Sequence, residues 1–200
     1  MTKTVQTERE RAKADRAAAL LQAAARLFAE QGFAGVSLEE LGAAVGVSGP
    51  AIYRHFANKQ AVLAAVLLRA SAGLLAGGNQ VLTRVADPEL RLRALVAFHV
   101  DFAVRSEDVI RVQDRDMASL TKEDRHEVRR MQREYVELWV DVLGAVHPGE
   151  PAARSRVRAH ASFGLMNSTP HSARAAGVTA DRGDVRGILA AMALAALRTR

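Results

Sequence analysis

The stretch from Ser37 to Lys59, S-L-E-E-L-G-A-A-V-G-V-S-G-P-A-I-Y-R-H-F-A-N-K, leaves few folds open. Ser37 is a good helix N-cap, and Glu39 and Glu40 follow in the first turn, where carboxylates favour the positive end of a helix. Leu38, Leu41 and Val45 recur at helical spacing, and Gly46 supplies the stop. Val47 fills the corner and Ser48 caps a second helix, whose first turn accepts Pro50 because no backbone N–H is needed there. Beyond it the pattern divides. Ile52 and Phe56, four apart, face inward, whereas Ala51, Tyr53, Arg54 and His55 are left to face outward. Two short helices joined by a tight turn, the second presenting aromatic, basic and small groups, describe a helix-turn-helix. Taken alone, the second helix is equally well read as amphipathic with a solvated face.

Composition narrows the setting. Hydrophobic residues make up 49% of the chain and aromatics 4%, which suits helices better than sheets, and no alternating strand pattern of useful length is present. A formal charge of +6 favours a polyanionic partner, although a basic solvated surface explains it equally well. The chain has no cysteine, which excludes disulfides, thiolate catalysis and cysteine-based zinc sites. His55, His99, His126, His147, His160 and His171 are scattered, without H-E-x-x-H or G-x-S-x-G, and no phosphate-binding glycine loop is present. No catalytic residue, metal site or cofactor is therefore expected. Residues 1 to 16 are polar, and no apolar run approaches the ~20 residues needed to span a bilayer. The expectation is a soluble, cytoplasmic, all-α protein with no membrane partner.

In chain order, residues 1–13 carry Lys3, Arg9, Arg11 and Lys13 and read either as a frayed terminus or as a flexible basic arm. Helix one is predicted from near Asp15 to Gln31, with Leu20, Ala24, Leu27 and Phe28 as its stripe and Gly32 as its end. Phe33 and Val36 then plug a small core against Leu38, Leu41, Ile52 and Phe56. With few large side chains, this head (residues 14–60) should lean on the next helix, which runs from Asn58-Lys59 to about Arg84. Gly77-Gly78 is expected to bend or break that helix. Asp87-Pro88 opens a helix to about Val104, Ser106 one to about Asp116, and Thr121 with Asp124 one to Val146. Residues 151–168 form another, stopped before Pro170. Thr169 to Gly177 reads as a loop, and Asp181 begins the last. The count is about nine helices.

The stretch V-S-G-P-A-I-Y-R-H-F-A-N-K-Q-A-V-L resembles the DNA-binding domain of the TetR family of bacterial transcriptional regulators. A-A-A-R-L-F-A-E-Q-G-F-A-G-V-S before it resembles that domain's first helix and turn, so the likeness runs without a gap over roughly residues 16 to 66. It implies a three-helix head with residues 49 to 55 lying in the major groove. Tyr53 and His55 stand where the family contacts phosphate, and Lys59 would donate to phosphate as a point charge. Ser37 and Ser48 cap helices whose first amides can also meet phosphate. Arg54 is the candidate for base readout, because its fork matches guanine O6 and N7. Gly49, Pro50 and Ala51 permit close approach, and Pro50 or Ala51 could touch a thymine methyl group.

The same resemblance implies that residues 61–200 form a ligand-binding and dimerisation domain. The terminal helix is apolar most of the way round, which burial within the monomer could also explain, and the helices near 151–168 and 182–198 are expected to build a homodimer interface. His99, Phe102, Met131, Tyr135, Trp139, Phe163 and Asn167 are the candidate ligand contacts, although such stripes are more often core. The functional expectation is a repressor on a near-palindromic operator, released by a small, mostly hydrophobic effector of fatty-acyl type. The alternative is a non-specific architectural DNA-binding protein without an effector.

Overall fold

The structure is a computed structural model and describes residues 8–46, 52, 53, 56–171 and 182–199, with side chains from Arg16 onward except that of Arg182. Among these residues it has eight α-helices and one 3₁₀ turn, with no strand. They are α1 (Glu8–Gly35), α2 (Leu38–Ala43), α3 (Lys59–Arg84), α4 (Pro88–Arg105), α5 (Glu107–Asp116), α6 (Lys122–Val146), α7 (Ala152–Met166) and α8 (Arg182–Arg198).

The expected starts and stops are carried by side chains. Ser37 Oγ accepts from the Glu40 amide at 3.1 Å, while Glu40 Oε2 accepts from the Ser37 amide at 2.7 Å, a complete capping box. The bond accepted from the Ser37 amide holds the Glu40 carboxyl below its ordinary range. Asn58, Asp87 and Thr121 accept in the same way from Ala61, Leu90 and Asp124. Gly32, at φ +82, breaks the α1 geometry where the sequence predicts its end.

Four expectations are corrected. First, α1 begins at Glu8 rather than near Asp15, so residues 8–13 of the expected arm are helical; that segment consists of Glu, Arg, Lys and Ala, all good helix formers. Second, α3 is uninterrupted through Gly77-Gly78. A Cβ on Gly77 would lie 2.1 Å from the Phe98 ring, and one on Gly78 would lie 2.9 Å from Tyr135 and 3.1 Å from Leu138. The glycines let α4 and α6 approach α3, and that packing offsets their poor helix propensity. Third, Thr169, Pro170 and His171 are helical, with the His171 amide donating to the Ser168 carbonyl at 2.9 Å; proline stands in a first turn here rather than ending a helix. Fourth, α3 is long and apolar enough to cross a bilayer by length and composition. Its alanines and glycines disguise this in the sequence. Its buried side, however, is spent on packing within this protein.

Two apolar cores share α3. In the head, Phe28, Val36, Leu41 and Ile52 are buried with Val62, Leu63, Val66 and Leu67 of α3, and Phe33 and Phe56 pack against them. Val112, Leu120 and Val128, from the larger domain, complete the same core. In the body, Leu92, Leu95, Val96, Trp139, Leu143 and Met166 form a second core, against which Leu74, Leu75, Val81 and Leu82 of α3 pack.

Two glycine substitutions should therefore move stability in opposite directions in urea denaturation. Gly78→Ala should destabilise by about 1–3 kcal/mol through overpacking against Tyr135. Gly144→Ala, where a new Cβ meets nothing within 4 Å, should stabilise by roughly 0.5–1 kcal/mol through helix propensity alone.

Candidate nucleic-acid interface

Of the nine residues expected at DNA, Ser37, Tyr53 and Lys59 are described. Ser48, Gly49, Pro50, Ala51, Arg54 and His55 lie outside the described residues, as do residues 1–7 of the expected arm. The capping box uses the amides of Ser37 and Glu40. The Leu38 and Glu39 amides, in the same first turn, have no intrahelical partner and remain able to meet an anion. Tyr53 is 52% exposed, and its hydroxyl donates to Glu39 Oε1 at 3.1 Å, a bond that pushes the phenol up from its ordinary range. A phosphate at this point would replace Glu39 as the acceptor. Lys59 Nζ donates to the Ala34 carbonyl at 3.2 Å and lies 4.7 Å from the Phe33 ring centroid. It therefore ties the end of α1 to the start of α3 before any DNA is present.

A second tie was not foreseen from the sequence. Arg115, at the end of α5, donates to the Phe28 carbonyl and, at 3.5 Å, to the Ala29 carbonyl of α1. Asp116 holds the guanidinium by bonds of 3.1 and 3.0 Å and pushes its pKa further up. A cation of the body thus meets carbonyls near the end of the first helix of the head, where the helix dipole favours positive charge. Eighty-six residues separate Arg115 from Ala29, and no local pattern announces such a pairing.

The residues expected to meet a ligand divide by geometry. His99, Tyr135, Trp139, Phe163 and Asn167 are brought together in the body. The His99, Tyr135 and Phe163 rings cluster in near-parallel planes, His99 lying 5.8 Å from Tyr135 and 4.8 Å from Phe163, and Trp139 stands edge-on to His99 at 6.0 Å. Its Nε2 faces Asn167 Oδ1 at 3.1 Å and its Nδ1 faces the Tyr135 hydroxyl at 3.2 Å. With the amide oxygen as acceptor, Nε2 carries the proton and Tyr135 donates to Nδ1. Both ring nitrogens are thus satisfied within the fold. Phe102 lies 6.1 Å from His99, and Met131 is half-buried one turn before Tyr135 on α6.

Phe102 also lines a separate cleft of about 460 Å³ between α1, α3, α4 and α5. Leu21, Val66, Leu74, Phe98 and Val109 form its apolar walls, with Gln22, Arg69, Asp101, Arg105, Ser106 and Asp108 among its polar groups. The cleft therefore lies where the head meets the body.

A capped short helix on a small head, joined to a body that is helical among the described residues, agrees with the class of helix-turn-helix DNA-binding proteins. Residues 20–66 match the family described as "Bacterial regulatory proteins, tetR family", and residues 85–197 match "Tetracyclin repressor-like, C-terminal domain". The chain belongs to the TetR family of transcriptional regulators. It is 36% identical over 88 residues to the HTH-type transcriptional activator FasR of Mycolicibacterium smegmatis, an alignment covering 44% of this chain and 40% of FasR. The chain thus spans less than half the length of that relative. Against the HTH-type transcriptional repressor KstR2 of Rhodococcus jostii it is 25% identical over 159 residues, covering 78% of this chain and 77% of the relative. Among solved structures, AibR in complex with isovaleryl coenzyme A and operator DNA superposes with a TM-score of 0.71 at 20% identity, covering 88% of this chain and 97% of AibR. That likeness establishes the fold.

Burial pushes the His99 imidazole down to about 4, whereas in the unfolded chain it titrates near its ordinary value of about 6.5. Between these values the unfolded chain binds the extra proton. Stability should therefore fall as pH drops from about 6.5 to about 4, by about 3 kcal/mol in all from this group, and no further below that window. Urea denaturation at pH 7 and pH 4.5 should show this loss in the wild type and a shallower one in His99→Gln.

Proposed function

We propose that the chain is a ligand-responsive, sequence-specific transcriptional repressor that binds a near-palindromic operator as a homodimer and is released by a small, mostly hydrophobic effector. The observation that carries this reading is the junction of head and body. A head built around a capped helix is held to the body by Arg115, and a cleft opens beside it. An occupant of the body can then bias the position of the head, provided that it binds one arrangement more tightly than the other.

Dimerisation is supported by the outer faces of α7 and α8. Val157 is 69% exposed, Ile188 59% and Met192 52%, and Ala161, Gly164, Ala191 and Ala195 beside them are also uncovered. Small residues among exposed aliphatic ones suit close helix approach across a two-fold axis, and such a dimer would present two heads to the two halves of a palindrome. In sedimentation velocity, the Ile188→Asp/Met192→Asp double variant should run as a monomer where the wild type runs as a dimer. A dimeric double variant would place the interface elsewhere.

Repression is favoured because KstR2, the relative aligned over the longer stretch, is a repressor. An acyl-type effector is favoured because AibR was crystallised with isovaleryl coenzyme A. On DNA, Tyr53, His55 and Lys59 would hold phosphate and Arg54 would read a base. Selection from random duplexes at near-physiological salt should enrich an inverted repeat. Arg54→Ala should then cost roughly 1–3 kcal/mol on that repeat and much less on scrambled duplex. Lys59→Ala should weaken both alike and flatten the salt dependence by about one ion. Binding that fades with salt and enriches no sequence would instead support the architectural reading, in which the net charge does the work.

A further inference from the structure

We propose that the cleft between α1, α3, α4 and α5 is the effector site, and that it takes an amphipathic carboxylate: an aliphatic chain of medium length carrying one anionic head. This rests on the ligand-responsive reading and deepens it by assigning the place and the chemistry. The buried stack around His99 is a weaker alternative. There each ring nitrogen of His99 already has a partner, so a ligand would have to displace Tyr135 or Asn167 before gaining any contact of its own.

The cleft needs no such opening. Its volume of about 460 Å³ lies within the range of roughly 300–1,000 Å³ usual for small-molecule sites. Leu21 of α1, Val66 and Leu74 of α3, and Phe98 and Phe102 of α4 give it apolar walls. An aliphatic chain of medium length fits this space.

The polar groups select the head. Arg105 is paired with Asp101 at 3.1 Å, and Asp101 also meets Arg186 at 3.1 Å. Asp108 stands in the first turn of α5, whose positive helix end offsets its charge. Ser106 caps that helix without using its hydroxyl for the cap, which leaves the hydroxyl able to donate into the cleft. Arg69 lies in the middle of α3 and makes no ion pair among the described residues. Asp108 likewise makes no ion pair among the described residues, but it sits at a positive helix end, so the exposed Arg69 guanidinium is the group left for a carboxylate, which can take two bonds from it.

The site also touches the parts that position the head. One wall is α1 itself. Another is the start of α5, whose far end carries Arg115 and its bonds to the Phe28 and Ala29 carbonyls. An occupant that spreads these walls acts on both ends of the same junction.

The test is calorimetric titration of the full-length protein with decanoate below its micelle concentration, with decanol as the uncharged comparison. One decanoate per subunit is expected. Gly73→Leu should abolish binding by filling the cleft, since a Cβ at Gly73 meets nothing within 4 Å and the helix gains propensity. Arg69→Gln should weaken decanoate about tenfold while leaving decanol unchanged. If Gly73→Leu fails to fold, the decanoate–decanol difference in Arg69→Gln still decides the matter. Absence of decanoate binding to the wild type at millimolar concentration would overturn the proposal, as would equal losses of decanoate and decanol in Arg69→Gln. Binding lost in Phe163→Leu but retained in Gly73→Leu would move the ligand to the His99 stack, overturning this site while the ligand-responsive reading stood. An operator selected from random duplexes and released by some other compound would have the same consequence.

Discussion

The arrangement of this protein depends on how the C-terminal end of α1 is satisfied. The last carbonyls of a helix have no partner within it, and here cations from two directions meet the carbonyls near that end. Lys59 reaches Ala34 from the start of α3, and Arg115 reaches Phe28 and Ala29 from the end of α5. The two contacts differ in character. Lys59 rests on the Phe33 ring as a compact charge, whereas Arg115 is a planar fork clamped by Asp116, which fixes its direction. One tie lies within the head and the other joins head to body, so the angle between the two is set where α1 ends.

Around that point, packing is shared rather than divided. Burial of each large aliphatic or aromatic side chain is worth about 1.5–3 kcal/mol, and the head alone has few to bury. Val112, Leu120 and Val128 supply the remainder from the body. The head is thus a small recognition unit whose core is completed by the domain that would sense the ligand.

Local chemistry was legible in the sequence where it acts over a few residues. The caps at Ser37, Asn58, Asp87 and Thr121, the break at Gly32 and the inward pair Ile52 and Phe56 all follow from spacing, and the structure shows each of them. Features joining distant residues were not legible. Gly77-Gly78 reads locally as a weak point in a helix, and only the approach of Phe98 and Tyr135 shows why the glycines are there. Pro170 reads as a stop because the sequence does not reveal on which side of it the helix lies. Periodicity placed His99, Tyr135 and Trp139 on inner faces, and the fold gathers them with Phe163 and Asn167. Spacing could not reveal that His99 would be satisfied by its neighbours, nor that open volume would lie between α1 and α3 instead. That cleft is made by helices from both domains, so no single stretch of sequence carries its signature.

The sharing of α3 between two cores has a consequence for modularity. The chain resembles two domains in series, and the break before Lys59 looks like the natural place to cut. A head severed there would lose Val62, Leu63, Val66 and Leu67 together with the three residues that the body lends it. The unit that could be exchanged intact with a related regulator is therefore not the DNA-reading segment. It is that segment with α3, α5 and the first turns of α6. Transplanting a new DNA specificity would be easier by changing the outward residues of the recognition helix than by joining one head to another body.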